Sequence, residues 1–422
     1  RIDQRGNGSG ITGMEFPLLN YLEGKLACAG ADQVVAGRLI SLAFASAAIA
    51  SIYLLTRTHR PRSAALLAAC AFAFSPLVFY YGASLQPDLP SVSLALLALV
   101  VLERSLSRET RWGLYFLSAG AMALAILIKL PAIVFGLPAA VLVLERRSWR
   151  GPGRWQYLAY LPIAVLPGFL WYWHARHLQE QYGIPYFYLG PGIAPLVAGW
   201  ADPVFYRRIF LEQLFDVYAF PVISVLALAA LASWRKRMPG WVLGMAIAAL
   251  AYFFLAGSTA AYHYYYGLPA VPILCILASA WTEEVASRWG PPVEWGVTLV
   301  LVAMIALYGP HRTRHWLPPP GAENPYAAAK ALLDSVAPAG RRVALFSVGD
   351  PTLLWLMDRK GWVAPEIDPV RWAISKADLP SILLLDGKRV GPELRGSLEE
   401  AFRRRGYFSL PSNPQVGIWI QR

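Results

Sequence analysis

The chain has 422 residues, 56% hydrophobic and only 15% charged, whereas soluble domains average about 25% charged. That balance excludes a protein that is soluble throughout, and it changes the meaning of the net charge of +12: most of the excess lies in short loops between apolar segments, so it reports membrane topology rather than nucleic-acid binding. Cys28, Cys70 and Cys275 are far apart and share no metal-ligand or redox spacing.

Residues 1–32 read as a first extracytoplasmic loop. The loop begins polar and Gly-rich (RIDQRGNGSG), and a segment already outside the membrane needs an upstream signal or span to get there, so the chain is expected to be a fragment. Asp3 lies in this stretch. Glu15 follows in GMEFPLLNYLEGKL, where Pro17 fixes the backbone after Phe16 and a short amphipathic helix is expected next.

A helix crossing a hydrocarbon core of roughly 30 Å needs about 20 mainly apolar residues. Nine such spans are placed near 33–55, 64–82, 89–103, 112–129, 155–173, 216–234, 241–257, 263–281 and 293–309. Segment 131–144 is shorter, but both of its outer flanks, RSLSRETR (104–111) and ERRSWRGPGR (145–154), are basic. Two crossings are therefore needed between them, which makes ten. The basic loops RTHRPR (57–62), 104–111, 145–154 and WRKRM (234–238) are assigned to the cytoplasm. The cation-poor connections 1–32, 82–88, 129–131, 174–215 and 258–262 face outward.

The expected fold is thus an α-helical polytopic membrane protein, with its transmembrane domain at 33–309. A small soluble extracytoplasmic α/β domain occupies 310–422 beyond the linker LPPPG (317–321). In that domain VALFSV, SILLLDG and VGIWIQ read as strands, and PTLLWLMDRKG and PELRGSLEEAFRRRG as helices. The turn VGDP (348–351) reads first as a helix N-cap at Asp350, and no chemistry is assigned to it.

Polar groups at membrane depth are costly, so ionisable residues at the outer ends of the spans are the candidates for chemistry. Asp88, in SLQPDLPSVSLALL, is either a helix N-cap or a carboxylate at the floor of an outer cavity, and the two roles are compatible. Lys129, in LAILIKLPAIV, either snorkels or meets a lipid phosphate. His263 and Tyr264 stand in YHYYYG at the outer interface; an aromatic belt accounts for the tyrosines but not for the histidine. Carboxylates (Asp3, Glu15, Asp88) beside phosphate-binding groups (Lys129, His263, Tyr264) suit group transfer from a lipid-linked donor. A carboxylate takes the proton of the attacking hydroxyl as phosphate leaves, inverting the anomeric centre.

MEFPLLNYLEGKL, GRLISLAFASAAIASIYLL, FAFSPLVFYYGASLQPDLPSVSLALLAL, LAILIKLPAIVFGLP and YHYYYGLPAVPIL resemble, in this order, the GT-C membrane glycosyltransferases. The resemblance is greatest to the bacterial branch related to protein O-mannosyltransferases and the lipid A aminoarabinose transferase. It implies that Glu15 is the acid before the first-loop Pro, Asp88 the acid opening a later span, Lys129 the Lys-x-Pro lysine and His263 the His-Tyr-Tyr histidine. It also implies a catalytic aspartate just after a first transmembrane helix; Asp3 is the candidate for it here, and that residue otherwise lies upstream. Phe16 replaces the lysine that usually follows the first-loop Glu.

The expected function is an inverting glycosyltransferase in the plasma membrane. It would move a sugar from a polyprenyl-phosphate donor to a cell-envelope lipid, glycan or protein on the outer face, with no nucleic-acid partner. No cofactor is called for, although the carboxylates are of a kind that binds a divalent metal. A transporter or flippase of lipid-linked sugars is the alternative, and a non-catalytic envelope scaffold the third reading.

Overall fold

The computed structural model describes residues 13–106, 109–146, 157–182, 199–232, 239–317, 325–338, 340–347, 350, 352–364, 368–376, 379–412 and 415–421. The chain forms two compact units. One, Glu15–Tyr172 with Pro191–Pro318, is helical; the other contains Pro319–Arg422 and carries the sheet.

The helical unit opens with α1 (Leu18–Cys28), the short helix expected after Glu15; none of its residues is buried. Asp32 caps α2 (Gln33–His59), accepting from the Val35 N–H at 2.9 Å. The apolar stretch 64–82 is not one helix. α3 (Arg62–Ala73) stops at Phe74, and Ser75 caps α4 (Pro76–Tyr81), with Pro76 in its first turn. α5 (Asp88–Ser105) and α6 (Trp112–Ile128) form the most extensive helix pair, and α2 packs on α5. Buried serines tie the helices together: Ser93 donates to the Phe44 carbonyl (2.6 Å) and Ser118 to the Ala98 carbonyl (2.7 Å).

The short tenth segment is a 3₁₀ turn, Leu130–Phe135, followed by α7 (Gly136–Arg146). Lys129 at its start is 3.7 Å from Asp88, the first residue of α5, and Arg146 at its end is 3.1 Å from Glu103 near the last. The segment therefore travels the length of α5. His59, at the end of α2, also meets Glu103 (2.7 Å), and Trp241, at the start of a later helix, donates to His59 (3.3 Å). Ends that adjoin all four basic loops thus gather at one end of the bundle, while Asp88 and Lys129 lie at the other.

α8 (Tyr160–Tyr182) carries Pro167 inside it. α9 (Pro203–Tyr206) leads into a π-helical stretch, Arg207–Gln213, and α10 (Leu214–Asp216). A bend of 115° then opens α11 (Pro221–Ala232). α12 (Gly240–Ala256) ends at Gly257, whose φ of 57° is a conformation that L side chains rarely adopt, and α13 (Ser258–Tyr262) follows. A 3₁₀ turn, Tyr264–Gly267, leads to α14 (Ala270–Trp289) and α15 (Pro291–Thr313). Among the described residues, α2, α14 and α15 are each long and apolar enough to cross a membrane alone, and the bent α9–α11 stretch is a fourth broken candidate. Of the other expected spans, 64–82 is broken at Phe74 and Ser75 and 112–129 stops before Pro131, whereas 89–103 lies in the continuous α5 and α8 runs on through Pro167.

The other unit is α/β, as expected, and richer than the sequence reading. It contains α16 (Pro325–Val336), β1 (Val343–Phe346), α17 (Thr352–Leu356), β2 (Gly361–Val363), α18 (Pro369–Ser375), β3 (Ile382–Asp386), α19 (Pro392–Arg404), β4 (Tyr407–Leu410) and β5 (Val416–Gln421). The strand order is β2-β1-β3-β5-β4, with β2, β1 and β3 parallel and β5 and β4 added antiparallel. Alternation splits the core: Val343, Leu345, Leu384 and Ile418 face Leu333 and Met357, while Ala344, Phe346, Leu385 and Trp419 face Leu398 and Phe402. The expected helix 351–361 is only five residues long, because Gly361 already begins β2. Asp350 accepts from the Thr352 N–H at 2.8 Å, which is the capping role read from VGDP; Val348, Gly349 and Pro351 lie outside the described residues.

Candidate active site

The site begins with a missing hydrogen. Pro131 has no N–H, so the carbonyl of Leu127, four residues earlier, loses its helical donor, and α6 ends at Ile128. Two other groups take that carbonyl: the N–H of Phe16 at 3.1 Å and the hydroxyl of Tyr172 at 3.2 Å. The N–H of Leu130 donates to the same Tyr172 oxygen at 3.1 Å. Phe16 also meets Trp171 edge to face, with centroids 5.0 Å apart. The break is thus fully bonded, and the first loop is anchored to it through the residue next to Glu15.

Lys129 sits at this break in an extended conformation (φ −150°, ψ 107°). Its ammonium is 3.2 Å from Glu15 Oε1 and 3.7 Å from Asp88 Oδ1. Asp88 is 1% exposed and Lys129 7%, so this is a desolvated cluster rather than a surface pair. Asp88 occupies the first turn of α5, where the helix dipole favours a negative charge. Its side chain makes no capping bond, and neither carboxylate oxygen has a hydrogen-bond partner. Asp88 is therefore the first residue of the helix rather than its N-cap, which is Pro87, and its nearest counter-charge is Lys129. Nor does Lys129 snorkel, because its head is buried between two acids.

The YHYYYG segment closes the cluster. The Tyr265 ring lies 5.9 Å from Lys129 Nζ, and His263 stacks on Tyr265 with centroids 5.4 Å apart. His263 and Tyr264 are exposed. Tyr264 stacks on Trp316 at 5.5 Å. Gly267 makes the segment's close packing feasible, since a Cβ there would come within 2.0 Å of the Tyr218 ring.

Of the residues singled out in the sequence, Glu15, Asp88 and Lys129 come together directly, His263 joins them through Tyr265, and Asp3 lies outside the described residues. Tyr172 and Tyr265 were not anticipated. A tyrosine within an apolar helix carries no sequence mark of bridging a break 42 residues earlier. As for a divalent cation, the ammonium of Lys129 already bridges the two acids. Among the described residues no group of three or more His, Cys, Asp or Glu is placed to hold a metal.

The helical bundle followed by a sheet-bearing unit shares its fold with solved glycosyltransferases. Residues 17–173 match the family described as Dolichyl-phosphate-mannose-protein mannosyltransferase. Among solved structures, ArnT from Cupriavidus metallidurans bound to undecaprenyl phosphate superimposes with a TM-score of 0.62 at 13% identity, covering 96% of this chain and 87% of that one. The archaeal oligosaccharyltransferase AglB from Archaeoglobus fulgidus, in complex with an inhibitory peptide and a dolichol-phosphate, gives 0.55 at 12% identity, covering 97% and 67%. The arabinofuranosyltransferase AftD from Mycobacteria gives 0.57 at 16% identity; 94% of this chain is covered, but only 34% of that much longer one. No curated protein matches the sequence.

Proposed function

We propose that the protein is an inverting glycosyltransferase that moves a sugar from a polyprenyl-phosphate donor to a cell-envelope acceptor. The observation that carries the reading is Lys129 held between Glu15 and Asp88 at a proline-broken helix end. The matches to a mannosyltransferase family and to structures solved with undecaprenyl phosphate and dolichol-phosphate support a lipid-phosphate donor.

Glu15 is the more accessible acid, with its side chain 15% exposed against 1% for Asp88. In the proposed step the acceptor oxygen bonds to the anomeric carbon and its proton passes to the Glu15 carboxylate. The bond from that carbon to the phosphate oxygen breaks, and the electron pair leaves with polyprenyl phosphate. Asp88 fixes Lys129, and Lys129 fixes the position of the Glu15 carboxylate. The exposed His263 and Tyr264 present N–H and O–H donors to the phosphate. The positive-inside pattern supports an outward-facing site in the plasma membrane, with 310–422 on the same side.

The test is transfer of labelled sugar from polyprenyl phosphate by the protein and by Asp88→Asn and Lys129→Ala. Transfer should fall by about 10²-fold or more in both variants, the scale of a lost electrostatic or proton-transfer group. Undiminished transfer in both overturns the assignment. Movement of lipid-linked sugar across proteoliposomes without covalent transfer would favour a flippase instead.

A further inference from the structure

A second place of interest is a cavity of about 280 Å³ within the helical unit, lined in part by Tyr262 and Tyr264 of YHYYYG. It is built by the π-helical stretch Arg207–Gln213. In an α-helix, side chains five apart point to different faces, but a π turn bonds i to i+5 and brings them together. Arg207 and Glu212 accordingly form an ion pair at 3.0 Å. Arg208 and Glu212, four residues apart, line the cavity together with Tyr262, Tyr264, Asp216 and Arg312. Gln213 locks the wall: its amide donates to the Ala261 carbonyl at 2.9 Å and accepts from the Tyr218 hydroxyl at 2.5 Å.

The lining has two guanidinium groups and two carboxylates, so it is not selective for either sign. Arg312 is already spent on Asp216, donating from Nε at 2.8 Å, with the Tyr308 hydroxyl donating to the same carboxylate oxygen at 3.0 Å. Arg208 lies over the Tyr262 ring at 4.6 Å. An anion entering would meet Glu212 and Asp216; a cation would meet Arg208 and Arg312. A sugar ring fits both, because each hydroxyl donates one hydrogen bond and accepts others, and the ring's C–H faces pack on aromatic rings. The volume falls just under the roughly 300–1,000 Å³ of drug-sized ligand pockets, so it suits one ring rather than a chain.

We propose that this cavity seats a neutral sugar ring of the acceptor, so that the acceptor is a glycan rather than a peptide hydroxyl or a phosphate-bearing headgroup. The inference rests on the transferase reading above. Tyr264 lines this cavity and Tyr265, the next residue, faces Lys129, so an acceptor ring here shares the YHYYYG segment with the donor cluster.

The test uses the full chain in lipid nanodiscs and saturation-transfer NMR with neutral methyl glycosides in the gluco, manno, galacto and arabinofuranosyl series, competed with inorganic phosphate. At least one glycoside should receive saturation on its ring protons and resist displacement by phosphate. Tyr262→Ala and Glu212→Gln should each raise its Kd about tenfold, the effect of losing one charge-assisted bond or one stacking face. Glu212 is exposed, and the glutamine keeps its size, so this variant guards against misfolding. Silence from every glycoside, displacement by phosphate, or an unchanged Kd in both variants overturns the proposal. Glycoside binding without any sugar transfer would instead overturn the transferase reading and leave the cavity's assignment standing.

Discussion

The backbone N–H of Phe16 donates to the carbonyl of Leu127 at 3.1 Å, and this bond exists because Pro131 has no N–H to offer that carbonyl. One absent donor on α6 thus fixes where the first loop docks, and docking brings the Glu15 carboxylate to within 3.2 Å of Lys129.

Pro131→Ala restores the missing donor and permits α6 to continue past Lys129. Stability should change by less than about 1 kcal/mol, since a helical bond replaces those of Phe16 and Tyr172. Sugar transfer should nevertheless fall at least tenfold. A thermal melt alongside the transfer assay checks both halves, and an active variant would mean the break does not position Lys129.

Lys129→Met leaves the buried Asp88 and the half-buried Glu15 without their cation and should cost about 3–5 kcal/mol. Adding Asp88→Asn removes the more buried charge and should return part of that loss. A double-mutant cycle on unfolding free energy would read a coupling well above zero, whereas additive losses would mean the two residues do not interact.

Asp386, at the end of β3, is buried, and burial pushes its carboxyl above the usual range even though it accepts from the N–H groups of Lys388 and Arg389. A raised folded-state value means the folded form holds its proton more tightly. The stability this contributes is fully present below the unfolded value near pH 4 and is lost as pH rises through the folded one. Asp386→Asn keeps a carbonyl acceptor and removes the charge. It should raise the melting temperature at pH 7, with the gain shrinking toward pH 4. A gain independent of pH would show that burial of the charge is not its source.

Gly267→Ala places a Cβ 2.0 Å from the Tyr218 ring. Overpacking of this kind costs typically about 1–3 kcal/mol, and here the displacement falls on the segment that carries His263 and Tyr265. Both the melting temperature and transfer should drop. A neutral result would mean the Tyr218 ring swings aside freely.

The membrane class, the alternating ends and the triplet Glu15, Asp88 and Lys129 were legible because they rest on composition and on charges isolated in apolar sequence. His59, Glu103, Arg146 and Trp241 meet at one end of the bundle, as the basic loops required. Helix integrity was less legible. Hydropathy runs on through Phe74, Ser75 and Pro76, where hydrogen bonding stops, so one apolar stretch became two helices. The role of Asp88 was half visible: the position at a helix start could be read, but its partner is 41 residues away and depends on tertiary contact. The second cavity was hidden entirely, because RRIFLEQ reads as an ordinary amphipathic turn unless its π winding is known.

Glu15, Asp88 and Lys129 together carry two negative charges and one positive, a surplus of one negative charge at the floor of the site. In the proposed reaction the donor's phosphodiester, with a single charge, becomes a phosphomonoester with about −1.5 to −2 at neutral pH. Because Glu15 takes the acceptor's proton in the same step, the floor becomes neutral as the leaving phosphate gains charge, and repulsion returns only when Glu15 gives that proton up. Departure of the spent lipid carrier is therefore coupled to loss of the proton that Glu15 took, so resetting the base and releasing the product share one electrostatic origin.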